Sequence, residues 1–454
     1  KTEDISIPQK EKGVKITQKK IVRLNDLKDL IENNNNDLAI LKSKIYQKKY
    51  LLKSEIASWY PSLNLSSNGL PQYLNGSVDN DLSTSTSSNQ WKSSISATIQ
   101  WDIINPSRIP EINTAKDELE NARLAYLISF RDNYLQALRN FLDLQKSNEY
   151  VRIAKDSIKT SETALKEAEI RLKSGIGTKF EVLEARAQLA KDNQFLIKKI
   201  GEKKINQRAL AQILNLDEKT NPIIISKPKK IGKWEETLEK SILSAYSYRE
   251  EFKQDIIQLS INKNKAKSNL AYSQPTISLY NTYSTSLAQG EANVISPNNN
   301  NNIYSQNNTV GLKFDWKVFS GGASRAKYNS NKEKSREILA QINLKRGQIR
   351  KEVEDSFFNL EVAEKNIVNT MQEVKSAKES LRLAIIRLKA GITTQREVVT
   401  NQRDLTQAEV NYIQAITDYN LNLVKLRQQT GIDKVKTCIV NEPNKNARKY
   451  NSYS

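Results

Sequence analysis

The longest regular pattern in the chain is a run of apolar residues at helical spacing. Between residues 107 and 174 these residues recur at intervals of seven, four and three, with charged residues between them: Leu119, Tyr126, Phe130, Tyr134, Leu138 and Phe141. This spacing is typical of the seam of a coiled coil. The only proline of the run, Pro110, falls in the first turn, where proline is tolerated. The pattern predicts one helix of about 100 Å, at about 1.5 Å per residue.

A similar run covers residues 323–390, and shorter helical runs cover 24–58, 178–214 and 238–273. Turns at Gly175 and Gly391 follow the two long runs. Between the short runs, Pro222 and Pro228 interrupt the helical pattern in a segment at 215–237. We therefore expect short stacked helices beside each long one, with a small belt of other structure near the middle.

Strict alternation of apolar and polar residues marks two further segments, 94–103 and 309–318. Period two over about ten residues, with a tryptophan near one end, is typical of a membrane-spanning strand that has one lipid face and one water face. An edge strand of a soluble sandwich is the alternative, because such strands also alternate. The residues expected to face lipid are Ile95, Ile99, Trp101, Ile103, Val310, Leu312, Phe314, Trp316 and Val318.

Two weaker strands, at about 62–68 and 276–287, each follow a proline. Ser, Thr and Asn dominate the segments 68–90 and 288–308, which we expect to be exposed loops. The alternating strands are expected at about 93–104 and 308–319. Four strands cannot close a membrane barrel, for which the bacterial minimum is about eight. A membrane location therefore requires oligomerisation, and three copies would supply twelve strands.

The chain is also internally duplicated. Residues 165–189 and 381–405 repeat closely, and Gly175 matches Gly391 at an offset of 391 − 175 = 216. We therefore predict an N-terminal polar segment at 1–20, repeat 1 at 21–214, an equatorial linker at 215–237, repeat 2 at 238–430 and a polar tail at 431–454. The tip turns are expected at about 175–178 and 391–394. Each repeat carries a helix, two strands, a long helix, a tip turn and a further helix.

Composition narrows the function. The 454 residues include no histidine and one cysteine, Cys438, which cannot form an internal disulfide. Because phosphate loops, nucleophile elbows and metal-ligand clusters are also absent from the sequence, we expect no enzyme, no cofactor and no metal site. No signal peptide opens the chain, although a mature chain would have lost one. The mean hydropathy of -0.64 argues against a bundle of membrane helices.

The net charge of +20 is compatible with binding to nucleic acid or an anionic surface, but abundant Lys, Asn and Ile favour AT-rich coding bias as its origin. A soluble coiled-coil scaffold, with or without nucleic-acid binding, is therefore the alternative function. It leaves the strict alternation of the strands unexplained.

From about residue 21 to residue 433 the chain resembles the TolC-type outer-membrane factor family. The motifs that carry the resemblance are a doubled Arg-Leu-Lys-x-Gly-Ile turn, a doubled Glu-Val after it, and a strand exit at 318–322 with the sequence VFSGG. The first half has Asn105-Pro106-Ser107 at the position of this exit. No single motif is diagnostic, but their order within a duplicated chain is highly specific.

The resemblance implies a fold of mixed α and β class. Long coiled-coil helices would form a trimeric α-helical barrel across the periplasm, capped by a twelve-stranded β-barrel in the outer membrane of a Gram-negative-type bacterium. The homotrimer would work with a periplasmic adaptor protein and an inner-membrane transporter, as part of a tripartite efflux pump or a type I secretion system. It would give substrates a passive exit to the exterior, and no nucleic-acid partner is expected.

The resemblance also implies two kinds of functional residue. The adaptor would dock at the tip turns, at Arg171, Leu172, Gly175, Ile176, Arg387, Leu388, Gly391 and Ile392. The channel entrance would narrow at Glu397, which keeps the acidic residue of the family, and at Thr400, which does not. Glu181 matches an acidic position that helps to hold the entrance shut, while the basic partner expected at Thr393 is missing.

Each of these residues also has a simpler explanation. Glu181 and Glu397 would be favoured at a helix N-terminus by the helix dipole alone, and the two arginines near helix ends would be favoured there in the same way. The tip glycines are also helix C-caps, a role that does not compete with docking. The two strand tryptophans, Trp101 and Trp316, could instead belong to a protein core.

Overall fold

The computed structural model describes residues 15–80, 84–291 and 301–431. The predicted N-terminal segment at 1–20 lies mostly outside the described residues, as do almost all of the polar tail at 431–454 and its Cys438. The prediction of a mixed α and β chain dominated by long helices is confirmed.

Helices make up most of the described chain. They are α1 (Leu27–Asn34), α2 (Asn36–Ala57), α3 (Arg108–Lys173), α4 (Lys179–Ile213), α5 (Leu238–Tyr248), α6 (Glu250–Ala271), α7 (Ala323–Lys389) and α8 (Gln395–Thr430). A single 3-10 turn (Leu24–Asp26) precedes α1. The predicted helical runs at 24–58 and 238–273 are each interrupted, at Asn35 and at Arg249, where the backbone is extended.

Among the residues that the structure describes, seven strands form two sheets. The strands are β1 (Gln18–Ile21), β2 (Ser62–Ser67), β3 (Gln72–Asn80), β4 (Thr84–Ile104), β5 (Thr220–Ile223), β6 (Thr276–Glu291) and β7 (Asn301–Asp315). β1 and β5 pair in parallel as a small sheet of their own. The larger, antiparallel sheet has the order β2, β4, β6, β7, and β3 pairs with β4 beyond the end of β2.

The polar segments between the predicted strands differ from the expectation of exposed loops. Most of 68–90 belongs to β3 and to an extension of β4, and much of 288–308 belongs to β6 and β7. Backbone ladder bonds hold these parts together, for example between Gln72 and Lys92. Period two in hydrophobicity reports only the part of a strand that has one apolar face. It therefore misses the polar extension of β4, and it misses β3, where the adjacent Tyr73 and Leu74 break the alternation.

The chain clusters into two compact units. The first unit contains Lys1–Ser43, Leu124–Gln254 and Ile342–Ser454, so far as these are described, and the second contains Lys44–Arg123 and Asp255–Gln341. Each unit therefore takes segments from both sequence repeats. The core of the first unit includes a cluster in which α5, α7 and α8 pack through Ala245, Ile349 and Leu423. The second unit contains the larger sheet.

Candidate functional site

The first tip turn joins α3 to α4. Gly175 adopts the left-handed conformation with φ 73°, and the N–H groups of Ile176 and Gly177 donate to the carbonyl of Arg171 at 3.0 and 2.9 Å. These bonds satisfy the last carbonyls of α3, as expected for a helix that ends at a glycine. The turn is therefore closed by backbone contacts, which leave its side chains free for other roles.

The second tip turn joins α7 to α8 with the same backbone geometry. Gly391 also has φ 73°, and the N–H of Ile392 donates to the carbonyl of Arg387 at 2.9 Å. Because a left-handed backbone favours glycine, any residue with a side chain would be strained at either turn.

Exposure differs among the residues expected to dock an adaptor. Ile176 is 73% exposed and Ile392 is 69% exposed, which is unusual for isoleucine at the end of a helix. Leu388, by contrast, is 3% exposed and packs with Leu381, Ala384 and Val398 inside the α7/α8 pair. The structure thus places the Leu388 side chain in the core of the hairpin, and its contact with an adaptor stays a prediction.

Glu181 lies in the first turn of α4, where it forms a capping box. Its N–H donates to Thr178 Oγ1 at 3.3 Å, and its Oε2 accepts from the Thr178 N–H at 3.2 Å. This arrangement satisfies two N–H groups at the start of α4. Glu181 thus caps the start of α4 in the single chain, and its part in closing the entrance stays a prediction.

Glu397 occupies the equivalent turn of α8 but has different partners. Arg387 Nη1 donates to Glu397 Oε1 at 2.9 Å, and the Thr393 hydroxyl donates to Oε2. Arg387 was expected only as a docking residue, so its pairing with the acidic entrance residue is an unforeseen contact. Thr400, one turn further along α8, is half-buried.

A contact between the two tips involves residues that the sequence did not single out. Arg396 Nε donates to Glu184 Oε1 at 3.0 Å, and the Arg396 guanidinium lies 5.4 Å from the centre of the Phe180 ring. The repeat does mark Glu184 as the counterpart of Thr400, because 400 − 216 = 184, but it gives no sign of the contact with Arg396. The acidic residue that is absent at Thr400 is thus present at the matching position of the first repeat.

The larger sheet has one face of exposed apolar side chains. This face carries Ile95, Ile99, Trp101 and Ile103 of β4 and Val310, Leu312 and Phe314 of β7, all of them exposed. Leu63 and Leu65 of β2 and Leu279, Tyr283 and Leu287 of β6 extend it. The opposite face is polar, as the side-chain hydrogen bond between Thr98 and Thr282 illustrates.

Trp316 and Val318 were also expected to lie on the strand, but β7 ends at Asp315. Both side chains remain exposed, and Trp316 Nε1 donates to the carbonyl of Ser273 at 3.0 Å. Alternation continues past the strand in the sequence, whereas the ladder stops because β6 begins at Thr276, opposite Asp315. Trp101 makes the corresponding bond to the carbonyl of Trp59, also at 3.0 Å.

No helix in the described part of the chain is long and apolar enough to cross a membrane. Over residues 15–80, 84–291 and 301–431, His, Cys, Asp and Glu side chains nowhere gather in threes so as to hold a metal ion.

Comparison with solved structures shows the fold. The outer membrane protein VceC from Vibrio cholerae is 15% identical, with a TM-score of 0.74, covering 90% of this chain and 96% of that chain. The CmeC outer membrane channel of Campylobacter jejuni is 14% identical, with a TM-score of 0.74 over 90% and 85%. The open-state MtrE channel of Neisseria gonorrhoeae is 15% identical, with a TM-score of 0.70 over 90% and 89%.

A search of curated protein sequences finds no match. The family model for outer membrane efflux protein, however, matches residues 27–216 and 245–432, which together are most of the chain. The predicted location in the outer membrane of a Gram-negative-type bacterium, with a large helical periplasmic part, is also confirmed. The chain therefore belongs to the outer membrane efflux protein family, whose members are transport channels and not enzymes.

Proposed function

We propose that three copies of this chain form one channel through which substrates pass from the periplasm to the exterior. The observation that carries the proposal is the larger sheet, which has an exposed apolar face, a polar face and two open edges. Among the described strands, β7 pairs only with β6, and β2 and β3 pair only with β4. A sheet in lipid must close, because unpaired backbone groups there cost several kcal/mol each.

Trimer formation would close the sheet. β2 and β3 occupy the same edge of β4, so each chain contributes four strand positions side by side. Three chains would contribute twelve, which is enough for a membrane barrel. The exposed apolar face would then meet lipid, and the polar face would line the duct.

Duplication within the chain supports this architecture. The family model matches twice, and both tip glycines have φ 73°. Trp101 and Trp316 each donate to a carbonyl near the end of the preceding helix. We infer that the two repeats are structural equivalents, divided by the linker at 215–237.

The tip turns are the proposed docking sites for a periplasmic adaptor, which would connect the channel to an inner-membrane transporter. Ile176 and Ile392 supply exposed apolar groups, while Arg171 and Arg387 add positive charge. Leu172 is also exposed. A partner that presents apolar side chains with acidic neighbours would complement this surface.

The entrance is proposed at the start of α8, around Glu397 and Thr400, with Glu181 in the matching turn of α4. Three Glu397 carboxylates around one axis would attract cations. Arg387, which bonds each of them, would offset much of that charge. A pump or a type I secretion system would both suit such a passive entrance.

Mass measurement tests the trimer. Light scattering in detergent, corrected for the bound detergent, should give a protein mass of three times 51.7 kDa. Liposomes that contain the purified protein should conduct ions. A monomer, or a trimer that never conducts, would count against the channel.

Adaptor docking has its own test. Ile176→Asp and Ile392→Asp should leave the trimer intact but abolish co-purification of the adaptor and transporter from the source membranes. Ile225→Asp is the matched control, because Ile225 is 71% exposed but lies outside the tips. Equal co-purification in all three variants would assign docking to another surface.

A further inference from the structure

The polar face of the larger sheet carries mostly short side chains, with the longer Lys92, Gln100 and Lys313 among them. Ser, Thr and Asn dominate its rows, as in the row of Asn64, Thr98, Thr282 and Thr309 and the row of Ser66, Ser96, Ser284 and Asn307. Tyr280 of β6 is the single aromatic residue on this face among the strand residues whose side chains are described.

The bonds of its neighbours fix the face on which Tyr280 lies. Two residues before it, the Ser278 hydroxyl donates to Asp102 Oδ1 at 2.8 Å. Two residues after it, the Thr282 hydroxyl bonds Thr98 at 3.0 Å. Because side chains two apart on a strand share a face, Tyr280 lies on the polar face with them.

Tyr280 is directly opposite Gly311 of β7. A Cβ placed on Gly311 would lie 2.9 Å from Tyr280 Oη and 3.1 Å from both Cε1 and Cζ. The end of the ring therefore occupies the space that a side chain at residue 311 would fill. An aromatic ring over a glycine of an edge strand shields the exposed backbone, which is the structural part of its role.

The same geometry keeps the ring flat against the sheet. On the other side of Tyr280, its partner on β4 is Gln100, whose Nε2 donates to Asp102 Oδ1 at 3.0 Å. The Gln100 side chain therefore occupies the position over β4. The space over Gly311 is the one in which the Tyr280 ring can lie against the sheet. A ring displaced from Gly311 would have to project away from the strands.

We propose that the Tyr280–Gly311 pair sets the free width of the strand section of the duct. The inference rests on the proposed function, since the polar face lines a duct only if the sheet closes. Three rings folded onto three glycines would leave the duct wide. Three rings turned inward at one level would form a constriction.

Polymer exclusion in planar bilayers tests the proposal on the purified full-length trimer. Polyethylene glycols of graded mass are added on the side of the β6–β7 connection, and the largest polymer that still lowers conductance reports the width of the strand section. In Gly311→Val this cut-off should shift to smaller polymers. Gly311→Val with Tyr280→Ala should restore it, because no ring remains to be displaced. Thr309→Val, on the same face opposite Thr282, should keep the wild-type cut-off.

A milder variant, Gly311→Ala, keeps the proposal testable if Gly311→Val does not assemble into trimers. Gly311→Ala adds only the Cβ, which already meets the ring at 2.9 Å, so it should shift the cut-off in the same direction. A wild-type cut-off in assembled Gly311→Val or Gly311→Ala channels would overturn the proposal, as would a shift that persists without Tyr280. If the wild-type protein itself forms no conducting trimer, the proposed function fails instead, so the two failures are distinguishable.

Discussion

Replacing Glu251 by Gln should destabilise the first unit by about 3 kcal/mol at neutral pH. Arg131 and Arg249 both donate to the Glu251 carboxylate, the latter from Nη2 at 3.1 Å, and Arg249 Nη1 also donates to Glu352 at 2.6 Å. The Glu251 side chain is only 19% exposed, so water screens these charges weakly. Without the Glu251 charge, Arg131 keeps only Glu250 and Asp132 and Arg249 keeps only Glu352 as acidic partners, so two buried cations lose the carboxylate that they share.

The magnitude follows from the pKa of Glu251. Burial alone would raise it, but the hydrogen bonds and charges of Arg249 and Arg131 lower it from 4.5 to about 2. Because one pKa unit corresponds to about 1.4 kcal/mol, the charged form is stabilised in the folded protein by about 3 kcal/mol. A lowered pKa gives stability that is present above pH 4.5 and is lost as the pH falls toward 2.

Denaturant titration followed by far-UV circular dichroism, in detergent, measures this effect. The gap in unfolding free energy between wild type and Glu251→Gln should be about 3 kcal/mol at pH 7 and should close near pH 2. Burial raises the pKa of Asp132, which acts in the opposite sense, but Asp132 is present in both proteins and cancels in the difference.

Glu354→Gln is the matched control. Its carboxylate pairs with Arg350 at 2.8 Å on the helix surface, where water screens the charges and such a pair contributes little to stability. The reasoning is refuted if Glu251→Gln costs no more than this control, or if the gap at pH 7 persists unchanged at pH 2.

Two further predictions concern the channel. Phe314→Arg should cost about 2–4 kcal/mol if Phe314 lies near the bilayer midplane, and should lower the yield of assembled trimer on native gels. Lys313→Arg should assemble normally, because it keeps the positive charge on the polar face, where Lys313 lies 2.5 Å from Asp315. Equal trimer yields from Phe314→Arg and Lys313→Arg would argue against a lipid-facing Phe314. In bilayers, trivalent cations added from the periplasmic side should block the conductance. Arg387→Gln, which removes the partner of Glu397, and Thr400→Asp, which adds a carboxylate, should strengthen this block. Glu397→Gln should abolish it, because it removes the carboxylate. Block that none of the three alters would place the cation site elsewhere.

Local patterns predicted the helices well because their signals lie within a few turns. The heptad spacing at 107–174 corresponds to α3 at Arg108–Lys173, and the glycine turns lie where the repeats placed them. The prediction of strands from alternation succeeded only where one face of the strand is apolar. β3 was missed because its apolar residues, Tyr73, Leu74 and Val78, do not alternate with polar ones, and β1 because four residues carry no period.

The tip contacts could not be predicted because they depend on tertiary packing. Leu172 and Leu388 occupy the same position of the repeated motif, yet one is exposed and the other is buried. Arg396 bonds Glu184 across 212 residues of sequence, and no local rule couples positions so far apart. The duplicated motif located both turns, but the structure was needed to show how each turn is used.

The pairing of distant strands has a consequence for the order of folding. α3 and α4 are joined by one short turn, so this hairpin can form as soon as both helices have been synthesised. The bonds from Thr220 to Gln18 and between Thr98 and Thr282 join residues 202 and 184 apart, so β4 cannot meet β6 until the second half of the chain exists. In the interval β4 presents an apolar face and an unpaired edge, the two features that promote pairing with the wrong chain. Assembly of the larger sheet is therefore the late and aggregation-prone step in the folding of this protein.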